Sequence, residues 1–403
     1  MKTPISLLCA CLPLLAWAAP YTPKDGGAVI EQLPRRTDAT QSELRGLRQQ
    51  LNAAPNDLAL AAGLAQRYIA LARSETDPRY LGYAQAALAP WWRQAAPPLP
   101  VRLLRATILQ STHQFGPALH DLDAVIAQEP ANGQAWLTRA TVLTVQGDYA
   151  QATASCARLS ALSSQLVTVT CIANVASVTG RAAASERLLD LTLQRSAGAA
   201  PELENWAATL LAEMATRRGE TALAEARYRA ALARRPRDSY LLGAYADFLL
   251  DRQRPQDVVQ LLQDRQRIDA LLLRHALALQ ALPGRQAAFE AAKAELAARF
   301  HAALQRGDTV HQREQARFAL FLQQDVPSAL QLAQQNWAIQ KEVPDMRILL
   351  EAALAARDYG AAQPVLAWIA ANGVEDAALQ RLVRQLGPQD GVKISAARKA
   401  GVL

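Results

Sequence analysis

The chain has 403 residues, 51% of them hydrophobic but only 5% aromatic, with 20% charged and a formal net charge of +7. So few aromatic residues, and only 19 glycines, exclude an all-β protein, because strands favour aromatic and β-branched side chains. The apolar fraction is mostly Ala and Leu, which are strong helix formers, and its size together with the modest net charge excludes a disordered chain.

In chain order, Lys2 opens a short positive region, Ile5 to Trp17 is apolar, and Ala16-Trp17-Ala18 closes it with small residues. This pattern predicts a signal peptide over residues 1–18, cleaved after Ala18. Leu8-Cys9-Ala10-Cys11 loosely resembles a lipidation site, but the apolar run continues through Leu12, Leu14 and Leu15, where a lipoprotein would turn polar. The stretch is too short to span a bilayer, and no later segment offers about 18 uncharged apolar residues. The mature chain is expected to be periplasmic or secreted, with a bacterial periplasm favoured. Export changes the meaning of the charge: an exported basic chain with dispersed arginines meets acidic polymers, anionic lipid or acidic proteins rather than nucleic acid. Cys9 and Cys11 leave with the signal, so Cys156 and Cys171 remain, an even number in an oxidising compartment.

Residues 19–37, rich in Pro and Gly, read as a loose linker, and 38–54 as a lone helix ending at Pro55. Helical units follow at 56–96, with the insertion Ser74-Glu75-Thr76-Asp77-Pro78, and then at 97–130, 131–164, 165–200, 201–236, 237–266, 267–308, 309–342 and 343–372. A terminal helix is expected near 375–386 and a tail over 387–403, so that 38–386 forms one array of about nine units. A spacing of 34 relates Ala106 to Ala140, Ala118 to Ala152 and Ala212 to Ala246. The clearest unit carries Trp136, Ala140, Leu143, Gly147-Asp148-Tyr149, Ala152 and Cys156. A second has Leu211-Ala212, Gly219-Glu220, Ala224, Tyr228, Ala231 and Pro236. Ser185 stands where the pattern expects alanine, and Pro255 and Pro327 are expected to shift the later turns.

This pattern resembles the tetratricopeptide repeat. The resemblance covers most of residues 56–372 and implies an all-α, right-handed superhelical solenoid of stacked antiparallel helix pairs. Small residues let the two helices of a pair approach, glycine supplies the positive φ at the helix end, and proline stops the second helix. No pair buries its apolar face alone; stacking does. Cys156 falls late in the second helix of one unit and Cys171 in the first helix of the next, which places them to form a disulfide. First helices line the concave face of such an array, so partner binding is expected at Thr107, Gln110, Leu137, Thr141, Thr144, Thr170, Asn174, Trp206, Thr209, Glu213, Tyr240 and Asp247. Trp206 and Tyr240 are the expected anchors. Trp91-Trp92 reads as a core plug. The lysine and asparagine set by which one subgroup of the family grips chaperone tails is missing; only Asn174 falls at such a position.

Catalytic patterns are absent from the sequence: there is no G-x-S-x-G, no phosphate-binding glycine loop and no H-E-x-x-H. His113 and His120, with Asp121 and Asp123 following, are too loosely spaced to be a convincing metal set. No metal, cofactor or enzymatic activity is therefore expected. The expected function is that of an exported scaffold holding a protein or peptide partner in envelope assembly, secretion or polymer export. The alternative is a subunit that binds an acidic polysaccharide or serves its export.

Overall fold

Helix boundaries follow from local chemistry. Asp57, Asn132, Asp148, Ser164, Asp238, Asp358 and Asp376 each precede a helix and accept a hydrogen bond from the backbone N–H three residues on, satisfying a donor the helix cannot. The computed structural model describes residues 38–308 and 310–386. The signal segment, the linker over 19–37 and the tail over 387–403 lie outside the described residues. The chain divides into two compact units, one up to Ala53 and one from Ala54 onward. The first unit contains α1 (Ala39–Ala53), with Leu44 and Leu51 buried.

In the second unit the described residues form nine antiparallel pairs. The first joins α2 (Leu58–Glu75) to α3 (Arg79–Ala87), followed by a single turn, α4 (Ala89–Trp92). Then come α5 (Leu99–Ser111) with α6 (Phe115–Gln128), α7 (Gly133–Gln146) with α8 (Tyr149–Arg158), and α9 (Gln165–Ala176) with α10 (Ala182–Arg195). The middle pairs are α11 (Pro201–Arg217) with α12 (Thr221–Arg234), and α13 (Ser239–Asp251) with α14 (Pro255–Leu261). Next, α15 (Asp269–Gln280) pairs with α16 (Gln286–Gln305). In the eighth pair, α17 (Gln312–Arg317) runs into a π-helical turn, Phe318–Gln323, before α18 (Val326–Ile339). The ninth is α19 (Val343–Ala356) with α20 (Tyr359–Asn372), and α21 (Ala377–Gln385) packs beside α19. This stack of all-α pairs is the tetratricopeptide-like architecture that the residue pattern implied.

The spacing of small residues has its expected physical role. Ala106, Ala118, Ala140, Ala152, Ala212 and Ala246 are all fully buried where helices cross, and Leu122 and Tyr228 fill the space between neighbours. Ser185 replaces alanine without leaving a polar orphan, because its hydroxyl donates to the Arg181 and Ala182 carbonyls. Pro255 and Pro327 fall in the first turns of α14 and α18. There the missing N–H costs nothing, so they start helices and do not distort turns. Cys156 and Cys171 are disulfide-bonded with Cα atoms 5.6 Å apart, tying α8 to α9.

Packing of consecutive helices is joined by a long-range feature. The turns within pairs one to five form an edge, and later elements lie against it. Thr76 Oγ1 in the first turn is 2.6 Å from Ser239 Oγ at the start of α13. Gly147 in the third turn has φ +82°, and a Cβ there would overlap the Trp368 ring of α20. Gly180 in the fourth turn faces Gly373, where a Cβ would lie 3.4 Å from the Gly373 carbonyl oxygen. A Cβ on Gly219 in the fifth turn would be 3.7 Å from that of Ala377 in α21. Between α18 and α19, the Lys341 N–H donates to the Val145 carbonyl at the end of α7 (2.8 Å), and the Tyr149 hydroxyl donates to the Lys341 carbonyl (3.4 Å).

Gly147 is therefore required twice, for its positive φ and for its missing side chain. Gly147→Ala should destabilise the protein by about 2 kcal/mol or more through backbone strain and displacement of Trp368. Gly63→Ala inside α2, whose added Cβ meets nothing within 4 Å, should be neutral or stabilising by up to ~1 kcal/mol, since alanine is the better helix former. Urea midpoints of the two variants check this.

Candidate functional site

First helices lie side by side, so their inward side chains meet across the array. From α9 to α19 they form a ladder of polar contacts. Arg217 of α11 donates to the Ser177 hydroxyl next to α9 (2.9 Å). Glu213 of α11 accepts from the Tyr240 hydroxyl of α13 (2.8 Å). Asp247, two turns further along α13, takes Arg274 of α15 on one oxygen and Arg317 of α17 on the other, the latter at 2.9 Å. Asp251 of α13 receives a two-pronged bond from Arg347 of α19 (2.7 and 2.8 Å). Arg313 of α17 reaches Glu342 and Asp345, both at 3.3 Å. Planar guanidinium forks suit this work, since each can bridge two helices and satisfy a carboxylate at the same time.

Burial sets the electrostatics of this ladder. Burial pushes the Asp247 carboxyl up, but Arg274 and Arg317 together outweigh it and hold the group well below the usual carboxylate range. Asp345 is fully buried. Burial raises its pKa, with Arg313 opposing and Glu342 adding. It accepts from Asn336 Nδ2 (2.8 Å) and from the Glu342 N–H (2.9 Å), and so caps α19. Burial also raises Glu213, against Arg217 and the Tyr240 hydrogen bond. The Tyr240 hydroxyl is held well above its ordinary range, first by the charge of Glu213, then by burial and Glu342, with Arg217 opposing. Tyr240 is 67% exposed, so water reaches its ring although charged groups of α11 and of the α18–α19 connection act on its hydroxyl.

The inner-face residues expected from the sequence separate into distinct groups. Thr107, Thr170 and Thr209 are buried, and each hydroxyl donates to the carbonyl four residues earlier. In the structure they pack against neighbouring helices with their hydroxyl hydrogens already spent. Thr144 is half-buried and spends its hydroxyl the same way, and exposed Thr141 bonds Leu137. Leu137 and Trp206 are half-buried and pack on one apolar cluster with Tyr149, Cys156, Cys171 and Trp368, so Trp206 is a packing residue here. Gln110 and Asn174 are half-buried. Glu213, Tyr240 and Asp247 come together as the centre of the ladder.

The ladder arginines were missed, although their register was visible. Arg274 lies 34 residues after Tyr240, which lies 34 after Trp206, and Arg217 and Asp251 share the same spacing, as do Arg313 and Arg347. The histidine turn is also explained. Asp121 is bound two-pronged by Arg105 (2.6 and 2.7 Å), and Asp123 pairs with Arg139 (2.7 Å). Among the described residues no group of three or more His, Cys, Asp or Glu is arranged to hold a metal ion, and no helix is long and apolar enough to cross a membrane. Trp92 packs against Leu109, Phe115, Ala118 and Val142 and borders an open hollow of about 390 Å³ with Gly82, Gln85, Ala86, Ala89 and Arg93.

His113 gives a pH test. It sits at φ +56°, and its pKa is lowered to about 4, first by burial and then by Arg313 and His311, with Glu314 and Asp308 opposing. A histidine held neutral in the folded state loses stability as the unfolded chain takes up protons. The stability of the natural protein relative to His113→Asn, a residue that tolerates the same backbone, should fall as pH drops from about 6.5 to about 4. Denaturation midpoints across that window check the sign. Asp247→Ala would leave Arg274 and Arg317 without their shared carboxylate and should cost about 3 kcal/mol.

No family model and no curated protein matches the chain. Solved structures do. A tetratricopeptide repeat protein from Parabacteroides merdae is 13% identical with a TM-score of 0.37, the match covering 72% of this chain and 98% of that one. A dimer of human IFIT1 with m7Gppp-AAAA is 14% identical with a TM-score of 0.40, covering 87% of each chain. The tetratricopeptide repeat domain of P58(IPK) is 14% identical with a TM-score of 0.20, covering 86% of this chain and 96% of that domain. The fold assignment rests on the helix pairing and the buried alanines above, not on these distant likenesses.

Proposed function

We propose that this protein is an exported, non-enzymatic interaction scaffold that holds a protein or peptide partner on its inner face, in bacterial envelope assembly, secretion or polymer export. Tyr240 carries the reading. Among the described residues it is the most exposed of the large hydrophobic side chains, yet it stands on the inner face, anchored through its hydroxyl to Glu213. A rigid, half-tethered aromatic ring is a low-entropy anchor for a partner. Export is supported by the N-terminal signal pattern and by a disulfide that needs an oxidising compartment. The polysaccharide alternative has less support, because the inner-face arginines named above are already engaged by protein groups.

A photo-cross-linking amino acid at Tyr240, expressed in cells whose envelope is then extracted, should yield a discrete cross-linked protein band. The same group at Leu188, exposed on α10, should not. Capture at Leu188 but not at Tyr240 would sink the inner-face reading, and capture of carbohydrate alone would favour the alternative. Mass analysis of the mature chain should find it beginning at Ala19, with Cys156 and Cys171 bridged.

A further inference from the structure

Charge in the ladder is matched group by group, with one exception among the described residues. Asp247 has Arg274 and Arg317, Asp251 has Arg347, and Glu342 and Asp345 share Arg313. Glu213 of α11 is in no ion pair; the Tyr240 hydroxyl donates to its carboxylate instead (2.8 Å). Burial raises the pKa of Glu213, with the charge of Arg217 and the Tyr240 hydrogen bond opposing. Arg217 stands one turn further along α11, but its guanidinium donates to the Ser177 hydroxyl (2.9 Å) and to the backbone carbonyl of Glu213 (3.3 Å). A phenol can hydrogen-bond a carboxylate but brings no positive charge. Glu213 is therefore a half-buried carboxylate that the fold leaves without a counter-ion in contact.

The ring beside this carboxylate is open to water while its hydroxyl is fixed at Glu213, so ring and carboxylate keep a set relation. The charges that act on that hydroxyl are Glu213 first and then Glu342, with Arg217 opposing. An aromatic face attracts a cation through its quadrupole, and a carboxylate at the hydroxyl end of the ring adds a full charge to that attraction. An apolar group seated there would bury Glu213 further with no compensation, and an anionic group would meet two carboxylates. We propose that the open face of Tyr240 and the Glu213 carboxylate together hold a cationic side chain, lysine or arginine, of the protein partner. This rests on the reading of the inner face as the partner site and states the chemistry of the group received there.

Fluorine NMR of the whole protein, with 3-fluorotyrosine in place of Tyr240 alone, tests it. N-acetyl-arginine amide and N-acetyl-lysine amide should each shift the ring signal in a saturable way. N-acetyl-citrulline amide, of arginine's size but without its charge, should bind at least ~5-fold more weakly. Glu213→Gln, whose amide oxygen still accepts from the Tyr240 hydroxyl, should weaken both cationic probes by at least ~5-fold. It should also leave the urea midpoint unchanged or raise it, because an unmatched charge is removed. A fall in that midpoint as large as that of Asp247→Ala would make the carboxylate structural and overturn the pocket. So would the absence of a saturable shift, equal binding of citrulline and arginine, or binding indifferent to Glu213→Gln. The citrulline comparison keeps Glu213 in place and decides alone if the variant fails to fold. Cross-linking at Tyr240 fails separately: a captured protein without a preference for cations keeps the inner-face reading and refutes the pocket, whereas a preference for cations without a captured protein keeps the pocket and removes the protein partner.

Discussion

Later helices rest directly on the turns of earlier pairs, and the arrangement of the second unit depends on how close that approach can be. At Gly147 the margin is less than one methyl group, because a Cβ would occupy space held by the Trp368 ring. At Gly180 and Gly373 backbone meets backbone. A tetratricopeptide-like pair needs glycine at its turn for conformational reasons alone. Here the same residue also provides the flat seat for a distant helix. At Gly147 both demands meet, whereas Gly284 turns in open space and the turns of other pairs meet positive φ with Thr76, His113, Gln253 and Arg357.

That contact determines the character of the inner face. Once α19 is seated, Arg347 is brought to Asp251, and Arg313 to Asp345. The first helices of the middle and late pairs must then satisfy one another's charges in a confined space. They do so with alternating guanidinium and carboxylate groups, and buried charges are tolerable only when paired and hydrogen-bonded. Tyr240 escapes this closure: its hydroxyl joins the ladder while its ring stays in water.

Much of this was readable from residue type and spacing. Ala106, Ala140 and Ala212 announced close helix crossings, and Gly147-Asp148-Tyr149 announced a turn with a helix cap, because both are local requirements. The disulfide was legible because neighbouring helices in a stack fix its two ends. The inner face was legible only in part. Register placed Thr170 and Thr209 on first helices, but whether such a threonine faces water or the next helix depends on how tightly successive first helices pack. Trp206 was expected in the open for the same reason, whereas α20, a chain segment more than 150 residues later, contributes Trp368 to the cluster it packs on. Spacing within a repeat carries no information about contacts between distant repeats. Arg313 and Arg347 keep the repeat spacing, yet arginine on a helix is ordinarily a solvated residue, and only the pairing reveals its role.

The Cys156–Cys171 bridge spans a sequence separation of 15, whereas Gly147 and Trp368 are more than 200 residues apart. Loop closure favours the short connection, and non-local contacts form late because their entropy must be met first. The bridge can therefore close before the contacts of the C-terminal third are made. The third and fourth turns are then already aligned when α20 arrives. The disulfide thus gives assembly a direction: it readies a platform early, and the last helices complete the structure by landing on it.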